Sequence, residues 1–213
     1  MGFWGSVWSG ITSVAKSVGK LLTEKATEFL RVGIETFNLI VKVVENVAKA
    51  LGIIKPEDDS ENLGDRAMRA DKKIEDFDST RDYIEYLRNE IKAKSKEEIE
   101  RLSPEERLAR RALGTSILSK SIEEEFDIKI PVEFWAKVAK VGLSGVEIEN
   151  ILKKFKDVGI EPEKFVKYLK RELKIEDEDK LEDTLLKAYM KLEPNISQKE
   201  LEEKILSMQR RAN

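Results

Sequence analysis

Apolar positions along this chain recur almost everywhere at three- and four-residue intervals, and no run alternates for long enough to read as a strand, so the pattern predicts an all-α protein. At 100° per residue, Phe3, Trp4, Val7, Trp8, Ile11, Val14, Val18 and Leu22 fall within one arc of roughly 140°, with glycine, serine, threonine and lysine opposite. That separation predicts an amphipathic helix at the start of the chain. From Glu24 to Leu51 the balance inverts, because apolar residues take most of the circumference and leave only a polar strip of Arg31, Glu35, Asn38, Lys42, Glu45 and Lys49, spaced 4, 3, 4, 3 and 4. A helix of this kind needs apolar surroundings on most sides. Two arrangements supply them: a central place in a bundle with the strip as its one solvent edge, laced by Arg31–Glu35 and Glu45–Lys49 pairs, or several copies around a wet lumen lined by the strip.

Helix signals continue through the rest of the chain. Starts are expected near Ser60, Ser79 and Ser95; Ser103, Pro104 and Glu106 form a capping box with a first-turn proline, and Ser197 with Glu200 repeats the box. Gly142 and Gly159 suit helix C-termini, and Pro131, Pro162 and Pro194 punctuate the second half. Residues 142–154 and 159–171 echo each other at an offset of 17, pairing Ile148 with Phe165 and Leu152 with Leu169. The expected fold is thus all-α: long amphipathic N-terminal helices, then a compact bundle of short charged helices.

Charge divides the chain further. Residues 1–54 hold six of the eleven glycines and ten charges of net +2, whereas the remainder carries 71 charges of net −5. The expected organisation is an apolar segment over 1–54, a linker over 55–62 around Pro56, and a charged bundle over 63–213. No secretory signal peptide is expected, since the first charge, Lys16, follows the apolar stretch instead of preceding it. The longest uncharged run, Met1 to Ala15, is shorter than the ~20 residues a bilayer span needs.

Chemistry-bearing residues are sparse. The chain lacks cysteine and histidine, which removes thiolate and imidazole chemistry and the usual soft-metal ligands. AKSVGKLLTE resembles a phosphate-binding loop only superficially, because Val14 and Leu21 stand where glycine and Ser/Thr belong. The acidic runs DFDSTRD and EDEDKLED lack the glycine-turned spacing of a calcium loop and read as solvated helix ends. Neither an enzyme nor a cofactor, a small-molecule substrate or a nucleic-acid partner is expected, the last because the net charge is −3.

Trp4 and Trp8 are side chains that settle at lipid headgroup level, and in physical type the opening stretch resembles lipid-packing-sensor helices and membrane-lytic peptides. The expectation is a membrane-active, homo-oligomeric protein such as a pore-forming toxin, an effector or an envelope-penetrating virion protein. It would be cytoplasmic or particle-associated when made and membrane-associated when active. Phe3, Trp4, Val7, Trp8, Ile11, Val14 and Val18 would touch lipid, and the strip from Arg31 to Lys49 would line a lumen. The alternative is a structural or adaptor subunit of a phage particle or secretion machine, which buries the same helices between subunits.

Overall fold

A computed structural model describes residues 2–13 and 18–212, and over these the chain is all-helical. In chain order the helices are α1 (Phe3–Ser13), α2 (Lys20–Arg31), α3 (Ile34–Ala50), α4 (Ser60–Arg69), α5 (Thr80–Glu90), α6 (Lys96–Glu100), α7 (Pro104–Phe126), α8 (Val132–Val141), α9 (Gly145–Val158), α10 (Pro162–Leu169), α11 (Ile175–Leu192) and α12 (Gln198–Ala212), with a 3₁₀ turn at Ile74–Asp76. Val14 lies outside the described residues.

Local chemistry sets most boundaries. Ser79, Ser95 and Ser103 each accept a hydrogen bond from the N–H three residues on, and Glu98 and Glu106 return the bond to close capping boxes. The Ser197 N–H donates to Glu200 at 3.0 Å in the same way. Asp59 is the cap of α4, so Ser60 is its first residue. Gly142 and Gly159 end α8 and α9 in the left-handed conformation. The echoing segments both become helices, but α9 spans 14 residues and α10 eight, with Ile148, Leu152, Phe165 and Leu169 all buried.

The periodic run from Glu24 to Leu51 is not one helix. Gly33, at φ 88° and ψ 156°, occupies a region that only glycine enters without strain, and it separates α2 from α3. The 17 residues of α3 reach only about 25 Å, less than a hydrocarbon core of about 30 Å. Among the described residues no helix is long and apolar enough to cross a membrane.

The centre of the bundle is α7, from the charge-rich part of the chain. Leu108, Leu113, Ile117, Leu118 and Ile122 are buried on its different sides, and α1, α2, α3, α4 and α5 all pack on it. Three of its buried hydroxyls are bonded within the protein: Thr115 donates to the Arg111 carbonyl, Ser116 to that of Ala112, each at 2.7 Å, while Ser119 accepts from the Trp135 indole at 3.1 Å. Helix α4 lies against α7 backbone to backbone. A Cβ on Gly64 would stand 1.9 Å from the Arg110 carbonyl oxygen, and one on Gly114 would stand 1.8 Å from that of Ser60.

The front helices share this core. Phe37, Ile40, Val44 and Val47 of α3 pack in one cluster with side chains of α7, α8 and α9. The segment 55–62 is pinned as well, since the Lys55 N–H donates to Asp58 at 3.0 Å and the Ser60 N–H and hydroxyl both donate to Glu45 of α3, at 2.8 and 2.5 Å.

Candidate functional site

Helix α1 carries no charge, follows Gly2, which has no side chain to cap it, and has glycine, serine or threonine at six of its eleven residues, so its own propensity for helix is weak. Two fully buried side chains, with one side of the half-buried Trp8, hold it to the bundle. Val7 and Ile11, one turn apart, are fully buried, and between them Gly10 brings the helix close enough to α7 that a Cβ there would meet Ala109 at 3.7 Å. Thr12 and Ser13 turn inward on the helix and donate to the carbonyls of Trp8 and Gly10 at 2.8 and 2.9 Å.

The apolar arc of the opening stretch is therefore split. Val7, Ile11 and Val18 are buried within the protein, whereas Phe3 is 37% and Trp4 39% exposed and Trp8 is half-buried. The three aromatic rings form one continuous edge. Phe3 meets Trp4 edge to face at 5.6 Å, and Trp4 stacks on Trp8 at 5.9 Å with the planes 24° apart. This uncharged aromatic ridge on a thinly anchored helix is the candidate site.

Beside it, the polar side of α1 (Ser6, Gly10, Ser13) borders a cleft of about 520 Å³ that reaches Met68, Arg69 and Arg110. The floor of that neighbourhood is fixed by a buried charge cluster. The Asp65 side chain is 1% exposed and is met by Arg69 at 2.7 Å, Arg110 at 2.9 Å and Lys94 at 3.2 Å, tying α4, α7 and the stretch after α5 together. Burial alone would push the Asp65 carboxyl up, but the hydrogen bonds from Arg110, Arg69 and Lys94 outweigh it and hold the group below the ordinary carboxylate range. The Asp65–Arg69 spacing of four is visible in the sequence; Arg110, 45 residues on, is brought in only by the glycine-mediated crossing of α4 and α7.

The polar strip divides by role. Arg31, Glu35 and Lys42 are exposed and Lys49 is half-buried, while Asn38 accepts from Arg111 of α7 at 2.9 Å and Glu45 accepts both bonds from Ser60. The expected Arg31–Glu35 and Glu45–Lys49 pairs are not formed among the described residues: Gly33 breaks the helix between the first two, and Glu45 is already engaged by the start of α4. The strip is the outer edge of a packed helix, partly stitched to the rest of the bundle.

A larger cleft of about 920 Å³ lies between α2, the end of α7 and residues 127–131. Lys25 and Glu123 pair in it at 2.7 Å, each side chain 13% exposed. Burial pulls the Lys25 amine below its ordinary value despite the opposing attraction of Glu123. Among the described residues no group of three or more His, Cys, Asp or Glu side chains is placed to hold a metal ion.

Comparison of the chain with protein-family models, with curated proteins and with solved structures finds no match.

Proposed function

We propose that the protein is membrane-active and attaches to a lipid surface through the Phe3–Trp4–Trp8 edge of α1 while α2 and α3 stay packed in the bundle. The observation that carries this reading is the exposed aromatic ridge on a helix without a single charge. Tryptophan is the residue best suited to the headgroup boundary, and the glycines and serines behind it present little that resists shallow burial.

Energetics favour attachment over insertion. Lifting α1 away would uncover Val7 and Ile11, a loss of about 3–6 kcal/mol that transfer into the interface can offset. Lifting α3 away would uncover Phe37, Ile40, Val41, Val44 and Val47, about 8–15 kcal/mol, which equals the whole stability of a typical domain. Pore formation by gathered copies of residues 24–51, the role of a toxin, effector or envelope-penetrating virion protein, would require the bundle to open first. The alternative, a subunit that buries these helices in an oligomer, would have to use the exposed edge of α1 with Ile34 and Leu39 of α3, because the rest of the apolar face of α3 is packed against α7, α8 and α9 of the same chain.

Co-sedimentation with liposomes tests the reading. The full chain is expected to pellet with the vesicles, and a Trp4→Ser/Trp8→Ser variant to stay in the supernatant. Equal pelleting of the two would remove the membrane role from α1.

A further inference from the structure

Four of the eleven large apolar side chains left exposed among the described residues (Ile175, Met190, Ile196 and Leu206) belong to α11, α12 and the turn joining them, a hairpin otherwise rich in charge. Scattered apolar residues need no explanation, and Ile175 and Ile196 stand apart, but Leu206 lines a groove between the two helices and Met190 lies one turn along the same face of α11. On α11, Asp179, Asp183, Leu186 and Met190 recur at intervals of 4, 3 and 4 and share one face. Glu202, Ile205 and Leu206 approach from α12, and the two helices enclose a groove of about 320 Å³.

The floor of the groove is Leu186, Ile205 and Leu206, the last 49% exposed, and Met190, 52% exposed, extends the same face of α11 by one turn. The rim is Asp179, Glu182, Asp183 and Glu202, and no cation lines the groove. Among the described residues, Glu182 and Glu202 accept from neutral donors alone, the Tyr168 hydroxyl and the Gln198 amide, each at 2.8 Å. Asp183 meets Lys187 at 2.5 Å, but both side chains are more than half exposed, where such a pair is worth little. The rim therefore keeps its negative field over an apolar floor.

From this geometry we propose that the α11–α12 groove is a docking site for a basic amphipathic helix of a partner protein. Apolar side chains at i and i+3 or i+4 of the partner fill the floor between α11 and α12, and its flanking Lys and Arg meet the four carboxylates. Charge complementarity selects this occupant over a bilayer, whose anionic headgroups the rim repels. The inference is independent of the role proposed for α1.

Fluorescence anisotropy with a labelled 18-residue Leu/Lys amphipathic helix, and with a Leu/Glu helix of the same apolar face, tests it on the full chain. The Lys probe should bind and the Glu probe bind at least tenfold more weakly. Leu206→Ser and the double variant Asp179→Lys/Asp183→Lys should each weaken the Lys probe at least tenfold with unchanged circular dichroism. Glu57→Lys/Glu90→Lys, an equal charge change at exposed positions outside the groove, should stay within threefold of the parent. The proposal is overturned by failure of the Lys probe to bind, by equal binding of the two probes, by an unaffected Leu206→Ser variant, or by a control double variant as weakened as the groove variant. A dimer of the chain that the groove reversals dissolve would equally overturn it, by placing a second copy there.

Discussion

Helices α1 and α3 are both apolar-rich and glycine-preceded, yet they are held in opposite ways. Helix α3 buries five large apolar side chains against α7, α8 and α9, and its outer edge carries the polar strip with Ile34 and Leu39 exposed; α1 rests on α7 through Val7, Ile11 and one side of Trp8 and keeps an uncharged aromatic ridge outside. A nearly all-round apolar helix is most simply satisfied at the centre of its own fold, whereas an arc only partly used by the core is where an outside partner can be sought. Width of the apolar face, more than its hydrophobicity, separates scaffold from contact surface here.

Truncating the two helices should separate them most strongly. Phe37→Ala in α3 is expected to lower the unfolding free energy by about 3–5 kcal/mol in urea titration, and Ile11→Ala in α1 by an amount at the lower end of about 2–5 kcal/mol, since a helix at the edge can settle into the space. Equal losses would erase the contrast between core helix and surface helix.

Asp65 probes the ground on which α1 sits. Its folded carboxyl is depressed, so the stabilisation it gives is complete above the unfolded value of about 3.9 and is lost as pH falls through the lower folded value. Asp65→Asn, which leaves Arg69, Arg110 and Lys94 without their shared anion, should cost about 3–5 kcal/mol at pH 7 and flatten the acid limb of a thermal-melt pH series below about pH 4.

The break between α2 and α3 offers a smaller perturbation. Gly33→Ala forces a side chain into φ 88° and is expected to cost about 1–3 kcal/mol, although the space around it is open. A neutral or stabilising effect would mean that α2 and α3 can join as the single long helix that their shared periodicity suggests. Smallest of all should be the stability change in Trp4→Ser/Trp8→Ser, within about 1 kcal/mol in the same titration, because Trp4 lies outside the core and Trp8 is only half inside it. A larger loss would make the ridge structural.

Much of the helical framework is legible in the sequence because capping is a local interaction: Ser79, Ser95, Ser103 and Ser197 announce helix starts within four residues of themselves, and Gly142 and Gly159 announce ends. What escapes depends on distance. Gly33 looks like any glycine inside an apolar repeat, and only the turn it makes identifies it as a break. Gly64 and Gly114 carry no local signal of the contact between α4 and α7, and Arg110 reaches Asp65 from 45 residues away. For the candidate site, periodicity finds the apolar arc of α1 but not which side chains α7 takes; Val7 and Ile11 differ from Phe3, Trp4 and Trp8 only by where the rest of the fold happens to lie. The spacing of the polar strip is likewise visible, but not the break at Gly33 that leaves Arg31 on α2, nor the partners Ser60 and Arg111, which come from other helices.

Amide hydrogen exchange of the full chain with and without liposomes bears most directly on the contrast between α1 and α3. On vesicles, residues 3–13 should gain protection from their weakly held free state, and residues 34–50 should exchange as slowly as they do in solution. Unchanged exchange in 3–13 on vesicles, or a loss of protection across 34–50, would contradict an account in which α1 meets the lipid and α3 remains the protein's own core.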